Sequence, residues 1–139
     1  MSQDKETISR QLVEQMSTVG FCLVTNVEGH SEEELLKANK AFHALPIDVK
    51  MKMAPKHLNK NNKNIYHGYF PFIEGDPSHK EFYDMPRPFE DISQWEREGC
   101  PLYEFIPWVE NDECGEHKWI LDTFQSHFKA MHKLAMTMI

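Results

Sequence analysis

Two H-x-E triplets, His30–Ser31–Glu32 and His79–Lys80–Glu81, have the residue types and spacing that most directly suggest chemistry. Two histidines and one carboxylate on one face of a metal hold non-haem Fe(II) and leave positions open for oxygen and a cosubstrate. His132 lies far enough downstream to serve as a distal ligand. Three considerations weigh against that reading. His30 and Glu32 straddle an expected helix start, where a carboxylate is favoured by the helix dipole and the imidazole is solvated. His132 falls on an expected helix, not on a strand. Glu in place of Asp moves the ligating oxygen by one methylene in a site that tolerates little error. The residues therefore read as containing no metal ligand and no catalytic group.

Other chemistries find less support. There is no Gly-rich phosphate loop and no G-x-S-x-G elbow. Cys22, Cys100 and Cys114 are odd in number, widely spaced and without a CxxC pair, which argues against a zinc knuckle or redox motif. Cys22 lies inside an apolar run and reads as a small core residue. Tyr66, Tyr69, Phe70 and Phe72, followed by Phe82 and Tyr83, form the best candidate binding surface, with ordinary core filling as the competing reading. Strand alternation would place Tyr69 and Phe70 on opposite faces.

These residues must be positioned by short elements. Ile8, Leu12 and Met16 form one stripe of a helix near Glu6–Ser17, which Gly20 breaks. Phe21–Val24, bounded by Gly20 and Asn26, predicts a buried central strand. Ser31 with Glu34 is a capping box that opens a helix from Glu32 to about Leu45, with Leu35, Leu36, Asn39 and Phe42 on one face. Pro46 ends it and can begin a short helix through Met53. The Asn/Lys run Asn59–Asn64 predicts a flexible, exposed loop. Prolines 55, 71, 77, 86, 88, 101 and 107 exclude long regular elements between them and leave Tyr69–Ile73 and Glu81–Met85 as strand candidates. From Glu116 onwards Ile120, Phe124, Phe128, Met131, Ala135 and Met138 keep helical period to the end, and no obvious partner for that face is found in the sequence.

At 139 residues the chain is one domain at most. Its net charge of −7, with no basic stripe, argues against nucleic-acid binding. No apolar run reaches the roughly 20 residues of a membrane span, and the polar N-terminus lacks a signal-peptide core. A cytoplasmic location is expected, and free thiols fit a reducing compartment.

The order Gly20–Asn26, Ala41–Pro46, Lys50–Met53, Gly68–Tyr69 and Lys80–Asp84 resembles the N-terminal region of isopenicillin N synthase-like oxygenases, from roughly Ile8 to Ile139. The resemblance implies an α+β fold: a helical, short-strand region that packs against a double-stranded β-helix (jelly roll) core. That core would cover the last helix. It implies a full-length enzyme that uses Fe(II) and 2-oxoglutarate to oxidise a small-molecule substrate. The H-x-D, distal His and R-x-S positions of that family belong to a C-terminal half. Arg10, Arg87 and Arg97 are followed two residues on by Leu12, Phe89 and Gly99, so none matches R-x-S. Met1–Lys5 lacks the family's opening strand, and residues 1–139 are expected to be a truncated N-terminal domain without the catalytic jelly roll. Tyr66, Tyr69 and Phe70 fall where relatives contact substrate; the places matching the basic residue and tyrosine that flank the Gly-Tyr pair in isopenicillin N synthase are Tyr66 and Phe70 here, so a carboxylate-recognising role does not carry over. A competing expectation is a non-catalytic module that binds a protein partner through its last helix.

Overall fold

The computed structural model describes residues 5–87, 99, 102–109 and 117–138. Cys100, Cys114, Arg97, the helix start at Glu116 and the chain end at Ile139 lie outside the described residues. The elements are α1 (Lys5–Thr18), α2 (Glu32–His43), α3 (Ile47–Met51), β1 (Gly68–Phe70), β2 (Phe82–Asp84) and α4 (Lys118–Met138). They fall into two compact units, one of residues 32–125 and one combining residues up to Ser31 with those from Ser126.

The larger unit is built around Phe42. Ala38, Phe42 and Leu45 from α2 and its end pack with Met53, Tyr69 and Ile120, and Tyr83, Trp108 and Phe124 close around them. The Phe42 ring lies 4.8 Å from that of Tyr83 and 6.0 Å from those of Trp108 and Phe124. Full burial of one such ring contributes roughly 3 kcal/mol. The α2 face is rotated from expectation, because Ala38 and Phe42 are buried while Leu36 and Asn39 are exposed. Ile120 and Phe124 of α4 are covered by this core, so part of the partner surface missed in the sequence comes from α2 and the strands.

β1 and β2 pair antiparallel, Gly68 with Asp84, Tyr69 with Tyr83 and Phe70 with Phe82. Alternation splits the aromatics as predicted. Tyr69 and Tyr83 turn to the core, while Phe70 and Phe82 stack on the other face with ring centroids 4.5 Å apart and planes 9° from parallel.

Asn59–Asn64 is not a loose loop. The Asn59 side-chain amide donates to Met51 O at 3.0 Å. That of Asn62 donates to Ala54 O at 2.6 Å and Met51 O at 3.3 Å. Asn64 donates to Ala54 O and to His67 O. The amides satisfy carbonyls left over where α3 ends and the buried Met53–Ala54–Pro55 turn begins. Gly68 completes the clasp. Its φ of +134° and a Cβ position only 2.0 Å from Met53 O admit no side chain, and the approach lets Tyr69 N–H donate to Met53 O at 3.0 Å.

In the smaller unit, α1 ends as expected. Gly20 N–H donates to Gln15 O at 3.1 Å, and Gly20 carries a φ of +86°. The expected buried strand at Phe21–Val24 is not formed: Phe21 is 72% and Leu23 90% exposed. Strand character requires a neighbour to take the backbone groups, and no such bonds join this run to another segment among the described residues. Cys22 is only partly buried. The run leads through Asn26, at φ 58°, to Val27 and Glu28, which line a groove with Ala130 and Lys133 of α4. Lys133 Nζ lies 2.6 Å from Glu28 Oε2. No helix among the described residues is long and apolar enough to cross a membrane.

Candidate functional site

The motif residues scattered along the sequence converge on Glu81. Its Oε2 accepts the Tyr69 hydroxyl at 2.5 Å and Lys50 Nζ at 3.2 Å. Its Oε1 lies 2.9 Å from His43 Nδ1. Lys50, 6% exposed, also donates to the His43 carbonyl at 2.8 Å and sits 5.2 Å from the Tyr69 ring centroid. α2 contributes His43 at its last residue, α3 contributes Lys50, β1 contributes Tyr69, and the residue before β2 contributes Glu81. Burial alone would raise the Glu81 carboxyl, but the bonds from Tyr69, His43 and Lys50 outweigh it and hold the group below its usual range. Tyr69 is pushed well above the ordinary phenol range, first by burial and then by the Glu81 carboxylate. The cluster is a charge-compensated bridge between four segments. With an ammonium already on the carboxylate, it has no vacancy for a second cation.

The H-x-E triplets do not make metal sites. Glu81 is committed to Lys50, Tyr69 and His43, while the exposed His79 has a φ of 47° and stacks its ring on Phe72. His30 turns its Nδ1 to His127 Nδ1, 3.1 Å away, so that one imidazole donates and the other accepts. His127 is held below the ordinary histidine value by burial and then by the charge on His30. His132 stacks on Phe128. Among the described residues no group of three His, Cys, Asp or Glu side chains comes together to hold a metal. The described residues do not fit an iron centre.

A second carboxylate organises the substrate-facing candidates. Glu104 accepts the consecutive N–H groups of Ile65, Tyr66 and His67, and its Oε2 lies 2.9 Å from His67 Nδ1. Burial raises the Glu104 carboxyl, and these donors more than offset it, leaving it below its usual range. Tyr66 is thereby fixed by its backbone while the residue stays 48% exposed. Phe70 is partly exposed between Phe82 and His57. Tyr69 is fully buried, and its hydroxyl is spent on Glu81. Of the three residues, only Tyr66 and Phe70 offer surface. The roles of His43 and Glu104 were missed in sequence. Lys50 and Glu81 were marked by their motifs, but nothing local showed that they meet.

The family model for the N-terminal domain of the non-haem dioxygenase in morphine synthesis matches residues 1–108. No curated protein and no solved structure matches the chain. The match covers the larger unit's bridge, both strands and the Tyr66–Phe70 segment. This chain belongs to the family of non-haem dioxygenase N-terminal domains.

Proposed function

We propose that this chain is the N-terminal part of a cytoplasmic 2-oxoglutarate/Fe(II)-dependent oxygenase that oxidises a small molecule. The family match over residues 1–108 carries the reading. In it, the iron ligands and the cation that receives 2-oxoglutarate come from elsewhere in the full-length protein, since the described residues offer neither. This part packs its helices and short strands against a jelly-roll core. Its Tyr66–Phe70 segment faces substrate: Tyr66 and Phe70 supply contact surface, and buried Tyr69 fixes their backbone through Glu81. Neither nucleic acid nor membrane is a partner in this reading.

The test begins with the natural transcript beyond the Ile139 codon, followed by assay of the encoded protein with Fe(II) and 2-oxoglutarate. Expected is a downstream H-x-D, distal His and R-x-S, with 2-oxoglutarate turnover that is lost on replacing the downstream His. A transcript that stops after Ile139 overturns the proposal. So does turnover by the 139-residue chain that is abolished by His79→Ala.

One observation favours a second reading, a non-catalytic module with a protein partner at the last helix. Met136 and Met138, near the end of α4, are exposed. A soluble, monodisperse chain with cooperative melting on its own would support the module. Aggregation with weak cooperativity would support the oxygenase fragment.

A further inference from the structure

His30 and His127 stand 97 positions apart in sequence, yet their Nδ1 atoms lie 3.1 Å apart. The ring centroids are 4.9 Å apart and the planes 53° from parallel. Both residues belong to the smaller unit and are partly exposed. The turn that carries His30 is pinned along one face of α4. It closes with His30 N–H donating to Val27 O at 3.2 Å. Glu28 meets Lys133, and Gly29, at a φ of +77°, comes so close that a Cβ there would touch Ala130 Cβ at 3.8 Å. His127, Ala130 and Lys133 follow at three-residue steps, so Glu28, Gly29 and His30 each find a place on one helix stripe. Two nitrogens bound to one ion at about 2.0–2.1 Å are about 2.9 Å apart at a right angle and about 3.3 Å apart at the tetrahedral angle. The observed 3.1 Å falls between the two, so exchanging the shared hydrogen for a cation needs little movement. The ring that now donates would carry its hydrogen on Nε2 instead, which frees both Nδ1 lone pairs with no net loss of a proton. Imidazole nitrogen suits borderline transition metals, copper(II) above zinc(II), whereas magnesium takes oxygen ligands.

We propose that His30 and His127 bind one borderline divalent transition-metal ion, each through Nδ1, with water completing its coordination. The pair includes no carboxylate, so it is not the iron site of the oxygenase reading, and its failure would leave that reading standing. Calorimetric titration of the 139-residue chain with copper(II), zinc(II) and magnesium chlorides in a non-coordinating buffer tests it. Expected is one copper ion per chain with a dissociation constant of about 10 µM or tighter, weaker zinc binding and no magnesium binding. His30→Gln and His127→Gln should each weaken copper binding by about tenfold or more, because either change leaves a single nitrogen. His79→Gln and His132→Gln, at histidines outside the pair, should bind copper as the wild type does. In isotope-labelled wild-type chain, zinc should shift the imidazole Nδ1 resonances of His30 and His127 together, a readout that depends on no variant's folding. Absence of copper binding, wild-type affinity in either His30→Gln or His127→Gln, an equal loss in His79→Gln or His132→Gln, or zinc shifts that spare either ring overturns the proposal.

Discussion

The most polar run of the chain is a firmly fastened loop, and the most apolar run lies open. Asn59–Asn64 turns its side-chain amides inward onto the carbonyls of Met51, Ala54 and His67. Phe21–Val24 projects Phe21 and Leu23 into solvent. Hydropathy ranks the two segments in the opposite order. What separates them is the fate of their backbone partners. Around the Asn run, carbonyls at a helix end and a buried turn take side-chain amides as donors, Met51 O in addition to the Ala54 N–H at 3.3 Å. Around Phe21–Val24, no described strand presents the complementary ladder.

The largest effect is expected at Gly68. In Gly68→Ala the new methyl would meet Met53 O at 2.0 Å, a backbone atom that cannot swing aside, at a φ of +134° that a Cβ disfavours. Relief requires breaking the Tyr69–Met53 bond and opening the clasp. A loss of about 3–4 kcal/mol is expected, read as a lowered urea midpoint or loss of a cooperative transition. A wild-type midpoint would mean that the clasp is not what orders the polar run.

Next in size is Lys50→Met. Breaking a fully buried ion pair costs about 3–5 kcal/mol. Glu81 keeps about a third of its side-chain surface exposed and retains Tyr69 and His43, so about 2 kcal/mol is expected here. The pH dependence identifies the cause. The Glu81 carboxyl is held below its ordinary value of 4.5 in the folded chain. Its contribution is therefore complete above the unfolded value and lost as pH falls through the folded one. The stability gap between wild type and Lys50→Met should be constant above about pH 5.5 and shrink toward pH 3. A gap that does not change with pH would assign the loss to packing of the lysine stem.

The readable part of the fold lies where local signals suffice. Helix periodicity placed α1, α2 and α4 to within a few residues, Pro46 separated α2 from α3, and alternation sorted Tyr69 from Phe70. What escaped was non-local. The Glu81 bridge joins residues 38 and 31 positions apart, and Glu104 reaches back 37 to 39 positions. No periodicity carries that information. The Phe21–Val24 error has the same origin, because an apolar run reports burial only when its cover is known. The site fared likewise. Tyr66, Tyr69 and Phe70 were found by type and motif, but which of them shows surface is decided by Glu81 and Glu104.

A smaller effect sharpens the comparison from the polar side. Asn62→Ala removes donors from Met51 O and Ala54 O. Each carbonyl keeps another amide, from Asn59 and Asn64 respectively. The loss should be about 1 kcal/mol. Asn59 and Asn62 replaced together should cost more than the sum of the single changes, since Met51 O then loses both side-chain donors. Additive costs would show that the amides act separately.

The smallest effect is the most discriminating. At 90% exposure Leu23 touches little, so Leu23→Ser in the 139-residue chain should change stability by no more than about 0.5 kcal/mol. A larger loss would mean that the run is packed in solution after all. The same substitution in the longer protein proposed above asks a different question. If a jelly-roll sheet accepts Phe21–Val24 as a strand, Leu23 becomes covered, and exchanging a buried leucine for serine should cost at least about 2 kcal/mol. A near-zero cost in both contexts would leave Leu23 solvent-facing in the proposed longer protein as well, and the apolar run would then need an explanation other than a sheet supplied by that protein. A cost that appears only in the longer protein would show that the open run and the fastened run obey one rule, each ordered by the backbone partners it finds, the first finding them outside these residues and the second within.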